Sequence, residues 1–322
     1  MYDWSKELVV VTGGSEGIGA VVVRLLAERM IRVVVLDVQD LKYEGRSQVL
    51  MRRTSCGQAC IRMVMLSETR YWSSFSRPCQ TLCTANTSPA PQGVHHYTCD
   101  LASPLSISST AAQIRAEHGD PTILINNAGL SRGKPILSAS ESDIRLTFNV
   151  NTLSHYLLAQ AFLPAMVARN HGMIVTIASL AAYVTAPRFV DYSASKAAAV
   201  AFHEGLGAEL ATLYGAPKVR TVLVCQGYAR TPLSAGLDEG DGWWMYALRP
   251  ETVAEEIVKT VLGGRSRHVV LPASAWYAAA QLRGWPVWVQ VGLRKTIARR
   301  TKGYRGRQVE QPSEGKIGGG LA

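Results

Sequence analysis

Ser179, Tyr192 and Lys196 are the residues of this chain whose types and spacing best suit chemistry. Thirteen positions separate the serine from the tyrosine, and four separate the tyrosine from the lysine. Met173 to Ala178 is an apolar, β-branched run that reads as a strand. From about Ser193 the chain is Ala-rich with apolar residues at helical spacing. Ser179 is therefore expected at a strand tip, with Tyr192 and Lys196 one turn apart on one helix face. A free phenol titrates near ~10, too high to exchange protons at neutral pH. A neighbouring ammonium is expected to lower that value and make Tyr192 a general acid/base, while Ser179 hydrogen-bonds the same substrate oxygen. Such a trio suits proton transfer to or from an alcohol or carbonyl oxygen. Taken singly, each residue has an ordinary explanation: Tyr-x-x-x-Lys is common on helices, and a serine ending a strand is usually a cap.

The elements that must position this trio begin at the N-terminus. Leu8 to Thr12 is a short apolar strand running into Thr12-Gly13-Gly14-Ser15-Glu16-Gly17-Ile18-Gly19. A Val/Leu/Ala-rich helix follows to about Met30, then a second strand, Arg32 to Asp37. Glycine is required where a backbone turns tightly and a pyrophosphate approaches a helix N-terminus. Gly13, Ser15, Glu16, Gly17, Ile18 and Gly19 are thus cofactor-binding candidates. Asp37, ending the second strand, fits the acid that bonds the adenosine ribose hydroxyls; the alternative is an ordinary turn residue. Its carboxylate would repel a 2′-phosphate, and Glu16 stands where a base would attract one, so NAD is the expected cofactor.

Val94 to Thr98 reads as a third strand, followed by Asp100 and Leu101, with Asp100 placed to meet an adenine amino group. Pro104 to His118 reads as a helix with Ile107, Ala111 and Ile114 inward. A fourth strand ends in Asn126-Asn127-Ala128-Gly129, small residues where a dinucleotide would cross strand tips. Glu141 to Phe148 is expected to be helical, and Asn151 to Arg169 to form a long helix whose aromatic and Leu stripe is core or subunit interface.

In combination these residues resemble the short-chain dehydrogenase/reductase family, over roughly residues 6–44 and 93–272. The resemblance implies a single doubly wound α/β domain with a mainly parallel sheet of Rossmann type. It implies that Asn151 joins Ser179, Tyr192 and Lys196 as a fourth catalytic residue, supporting a water chain to the lysine. Lys196 would also hold the cofactor ribose, so Tyr192 and Lys196 count among the cofactor-binding residues. Cys225-Gln226-Gly227-Tyr228-Ala229-Arg230-Thr231 lies where the family has a nicotinamide-contacting turn; Gly227 and Thr231 are kept, while Gln226 replaces the usual proline and is expected to loosen the turn. Within the family, residues 159–182 and 190–206 look like the lipid, retinol and hydroxysteroid dehydrogenases. That implies a lipophilic alcohol substrate, assembly as a homodimer or homotetramer, and a place at an endoplasmic reticulum or lipid-droplet surface. The N-terminal anchor common in that branch is not seen, so either it is absent or the start is truncated.

Composition bounds the alternatives. A chain of 322 residues with 47% hydrophobic content can bury a large α/β core. Its net charge of +10 is uneven. Residues 45–92 carry six Lys/Arg against Glu68 alone, and 294–307 carry seven with no acid, leaving a slightly acidic body. A nucleic-acid-binding role for the whole protein is poorly supported. Met1 to Glu7 shows no signal peptide, so reduced thiols in the cytoplasm are expected. No apolar run reaches the ~18–20 residues that span a bilayer.

From Gly45 to Gln92 periodicity fails, and the stretch reads as an irregular insertion after the second strand, untranslated sequence carried into the reading frame. Cys56/Cys60 and Cys79/Cys83 with His95 and His96 make zinc conceivable, but the spacing is not that of a knuckle and no metal is expected. Residues 1–273 are read as the NAD-binding catalytic domain and 274–322 as an extension. Trp243, Trp244, Met245 and Tyr246 could line an apolar substrate pocket or simply pack. In the extension, Trp276, Tyr277, Trp285 and Trp288 precede Arg294, Lys295, Arg299, Arg300, Lys302, Arg305 and Arg307. This pattern suits an anionic membrane surface over 276–307, or a tail covering the substrate loop; 311–322 reads as a disordered end. The sequence therefore points to an NAD(H)-dependent oxidoreductase of lipophilic alcohols. The other readings are a catalytically impaired dinucleotide holder, or a metal or nucleic-acid role confined to 45–92.

Overall fold

The computed structural model describes residues 2–41, 93–238, 246–279 and 281–307. Strands β1 (Leu8–Thr12), β2 (Arg32–Asp37), β3 (Val94–Thr98), β4 (Ile123–Asn126), β5 (Gly172–Ile177), β6 (Val219–Gln226) and β7 (Arg267–Leu271) form one sheet. Its order is β3-β2-β1-β4-β5-β6-β7, and every pairing is parallel. The order reverses between β1 and β4, which opens a crevice at their C-terminal ends. Strands covered on both faces must be apolar throughout. LVVVT of β1 is buried at every position, as are ILIN of β4 and GMIVTI of β5.

Helices α1 (Gly17–Ala27), α2 (Pro104–His118), α3 (Glu141–Phe148), α4 (Ser154–Arg169), α5 (Val190–Thr212) and α6 (Pro250–Leu262) flank the sheet. On one face, Val22, Val23 and Leu26 of α1 pack with Val253, Ile257 and Val261 of α6. On the other, Ile107, Ala111 and Ile114 of α2 meet Leu158, Phe162 and Met166 of α4 and Phe202 and Leu206 of α5. Two boundaries differ from the sequence reading. The expected helix from Asn151 begins with a π-helical turn, Asn149–Leu153, that joins α3 to α4. Helix α5 starts at Val190, so Tyr192 stands in its first turn.

β2 and β3 are neighbours in register, Val33 opposite Val94 and Asp37 opposite Thr98. The flanks of the expected insertion therefore meet in the sheet, while 45–92 itself, with Cys56, Cys60, Cys79 and Cys83, lies outside the described residues. His95 stacks on His118 at 4.3 Å between centroids, and His96 Nε2 bonds Gln39 O at 2.9 Å.

The C-terminal extension adds α7 (Ala273–Ala279) and α8 (Val287–Arg300). Trp288 is 77% exposed and Val287 72%, so the start of α8 shows an apolar face to solvent. Residues 301–307 instead fold back on the body, with Thr301 and Tyr304 buried. Helix α8 thus carries exposed aromatic and basic residues, and the turn after it packs on the loops at 131–133 and 235–238. Among the described residues no helix is long and apolar enough to cross a membrane.

Candidate active site

Ser179 follows β5 and caps a 3₁₀ turn, Leu180–Ala182. Its Oγ accepts from Ala181 N at 3.1 Å and donates to Gln226 O at 3.3 Å, which fixes the hydroxyl between β5 and β6. Tyr192 and Lys196 share one face of α5, and the Lys196 ammonium lies 6.0 Å from the phenol ring centroid. Both are buried, 7% and 2% exposed. Phe189 packs edge-on against Tyr192 at 5.7 Å.

The expected electrostatics do not hold here. Burial pushes the Tyr192 phenol up to about 12, against which the hydrogen bond with Ser179 pulls down. Burial likewise lowers Lys196 to about 8, with Cys225 opposing. The ammonium donates to Ile177 O at 2.7 Å rather than to the phenol. Desolvation therefore sets the direction of both shifts. The Tyr192 phenol is protonated at neutral pH.

Asn151 stands on the π turn, fully buried. Its Oδ1 accepts from Leu130 N at 2.7 Å, and its Nδ2 donates to Leu130 O at 2.8 Å and Ser195 Oγ at 2.9 Å. It clamps the loop after β4 to α5. A Cβ placed on Gly129 would lie 3.7 Å from Lys196 Nζ and 3.9 Å from Asn151 Oδ1, so the loop, the amide and the ammonium converge. His155, one turn beyond Asn151, is buried beside Lys196; burial and that charge lower it to about 3. In the sequence it falls within the helix with the aromatic and Leu stripe, where nothing marks it out.

The cleft beside these groups is lined by Gly13, Leu36, Asp37, Val38, Cys99, Leu101, Ala128, Gly129, Leu130, Val150 and Arg307. Gly13 and Gly17 have φ of +65° and +58°. A Cβ on Gly19 would fall 2.1 Å from Gly13 O and 2.5 Å from Asn127 Nδ2, so only glycine lets α1 approach the loop. No side chain caps α1 at Glu16, so its first-turn amides suit an anion. Ile18 is buried in the core behind the loop. Asp37 is held by amides, Ser15 N on Oδ2 at 3.0 Å and Gln39 N on Oδ1 at 3.1 Å. Asp100 Oδ1 accepts from Ala102 N at 2.9 Å, and Leu101 is buried against the cleft. Thr231 caps a 3₁₀ turn, its Cγ2 3.5 Å from where a Gly17 Cβ would be. Backbone amides at a helix N-terminus, a fixed carboxylate and an apolar slot match the pyrophosphate, ribose and adenine of a dinucleotide in kind and order.

Three of these residues make contacts that their spacing in the sequence does not show. The Asn127 side chain donates to Thr12 O and Gly13 O, both at 3.0 Å, and so staples β4 to the glycine loop. Gln226 does not loosen its turn: it ends β6 opposite Leu271, and Gly227 N donates to Leu271 O at 2.7 Å. Glu16 is not a bare negative charge, since Arg307 Nη2 donates to its Oε2 at 3.0 Å. Arg307 was placed with the basic tail; 291 residues of separation hid the pairing.

A glycine-loop crevice at a parallel-sheet switch point, with Ser, Tyr and Lys converging beside it, defines a nicotinamide-dinucleotide oxidoreductase of the short-chain type. The chain belongs to that family: the short chain dehydrogenase model matches residues 74–242. "Dehydrogenase RED2" of Cochliobolus heterostrophus is 41% identical over 223 residues, 69% of this chain and 68% of that protein. Human "Estradiol 17-beta-dehydrogenase 11" is 36% identical over 205 residues, 64% of this chain and 67% of that protein. A metagenomic short-chain oxidoreductase solved with NADP superposes with a TM-score of 0.58 at 25% identity, covering 84% of this chain and 97% of that one.

Proposed function

We propose that this protein interconverts a lipophilic alcohol, of steroid, retinoid or long-chain type, and its carbonyl with NAD(H). The observation that carries the chemistry is the burial of Tyr192 with Lys196 on the same helix face and Ser179 at the adjoining strand tip. A bound nicotinamide dinucleotide supplies the hydride acceptor or donor. Ser179 Oγ, oriented by Ala181 N, holds the substrate oxygen. Tyr192 gives its proton to that oxygen as a carbonyl is reduced; in the reverse direction it is the phenolate form that takes the proton as an alcohol is oxidised. Lys196 brings positive charge beside the phenolate left behind. Asn151 keeps the loop 128–131 against α5 and so fixes the distance between cleft and proton donor.

Asp37 supports NAD(H): a carboxylate pinned by two amides cannot swing away from a 2′-phosphate. The lipophilic substrate class is supported by likeness to a relative named for estradiol. Trp243, Trp244 and Met245 lie outside the described residues; Tyr246 is half exposed. Turnover of steroid, retinoid and long-chain alcohols with NAD against NADP tests the proposal. Turnover of none of them by a protein that binds NADH would favour the impaired-holder reading.

Two features of the surface extend it. Exposed Trp285, Val287, Trp288 and Val291 adjoin Lys295 and Arg299, a combination suited to an anionic lipid interface. Liposome co-sedimentation of Trp288→Ser/Arg299→Glu checks this; binding equal to the parent protein would dismiss it. A groove of about 520 Å³ between α4 and α5, lined by Tyr156, Leu163, Val167, Phe202 and Leu206, is where we place a second copy of the chain. Tyr156→Glu should then lower the mass seen by light scattering.

A further inference from the structure

Arg307 reaches the dinucleotide cleft from outside the sheet. The chain turns back after α8: Asp238 N donates to Arg300 O at 3.1 Å, Arg305 N to Ala235 O at 3.3 Å and Arg307 N to Ser131 O at 2.9 Å. Tyr304 anchors the segment, stacked on Phe189 at 4.2 Å with its hydroxyl donating to Leu233 O at 3.0 Å. Contact is close enough that a Cβ on Gly306 would stand 2.2 Å from Ser131 O, and one on Gly133 2.7 Å from Arg305 C. The segment is thus packed in place, and it delivers Arg307 to the cleft wall beside Gly13, Asp37, Ala128 and Gly129.

There Nη2 donates to Glu16 Oε2 at 3.0 Å, just before the first turn of α1. Nε is buried with no hydrogen-bond partner. A guanidinium presents five donors in one plane, and its fork matches phosphate oxygens. Glu16 holds one edge of the plane, and Arg307 lines the cleft with one donor desolvated and unpaired. We propose that Arg307 is a cofactor-binding residue that donates to the pyrophosphate of the dinucleotide, with Glu16 as its positioning partner. The inference rests on the nicotinamide-dinucleotide reading above. The pyrophosphate is favoured over a 2′-phosphate because Arg307 lines the cleft together with Gly13 of the glycine loop, while the pinned Asp37 carboxylate guards the ribose.

Equilibrium binding to the full chain tests it, with NADH and NADPH followed by fluorescence and adenosine by saturation-transfer NMR. Arg307→Ala should weaken NADH and NADPH alike by about tenfold, roughly the loss of one charge-assisted contact, and leave adenosine binding unchanged. Arg307→Lys, which keeps the charge but not the fork, should fall between the two proteins. Unchanged or tighter NADH binding by Arg307→Ala would overturn the proposal, tighter binding marking the guanidinium as an obstruction. A loss confined to NADPH would also overturn it, moving the contact to the 2′-phosphate. A parent protein that binds no dinucleotide at all would remove the cofactor reading itself, and this inference with it.

Discussion

Tyr192 and Lys196 show how burial redirects a pair whose spacing suggests mutual tuning. With the phenol pushed up to about 12, the group is protonated across the neutral range. Tyr192→Phe should reduce turnover roughly 10²–10⁴-fold, the usual worth of a positioned acid/base, while NADH binding persists. Lys196 is lowered to about 8, so its positive charge is present below that pH and lost as pH rises through it. Carbonyl reduction should therefore decline above about pH 8, as the charge balancing the phenolate disappears. A reduction rate that stays flat to pH 10 would contradict this role for Lys196.

At the scale of elements, the π turn Asn149–Leu153 is the device that brings a polar side chain into an otherwise apolar helix packing. Asn151→Ala removes three hydrogen bonds at a fully buried position. It leaves the Leu130 N–H and C=O without partners, each costing about 1–3 kcal/mol. Chemical denaturation should register about 2–5 kcal/mol of lost stability, and turnover should fall with it. The loop after β4 has a second anchor at Asp143, which pairs with Lys134 at 2.7 Å and Arg132 at 3.3 Å. Desolvation would raise this carboxyl, but hydrogen bonds from Lys134 and Ser140 outweigh it and hold it at about 2. Because the folded value lies below the ordinary 3.8, the anchor is intact above pH 3.8 and fails as pH drops toward 2. Hydrogen exchange of residues 130–134 should quicken in that window before the sheet opens.

Across the whole molecule, the two faces of the sheet divide the work. The α1/α6 face is closed by apolar contacts, and the α4/α5 face leaves an apolar groove. The extension beyond β7 is bound to the active-site side through Tyr304. Tyr304→Ala should free residues 301–307 while the sheet stays folded, since nothing of the strand core rests on it. Limited proteolysis should then cut within that segment without a matching fall in the unfolding midpoint. Equal resistance to the protease would show that the segment is held by other contacts.

The sequence alone determined the parts governed by local pattern. Apolar runs gave the parallel strands, glycines gave the turn before α1, and a four-residue spacing put Tyr192 and Lys196 on one face. Nearly every strand lies where its run of Val, Ile and Leu indicated, because a doubly covered strand has no other way to be buried. The tertiary structure decided what depends on distance and dielectric. It gave Asn127 and Gln226 structural duties, and it joined Glu16 to Arg307 across 291 residues. It also set the direction of the Tyr192 and Lys196 shifts, because desolvation depends on the atoms packed around a charge and leaves no trace in the order of residues.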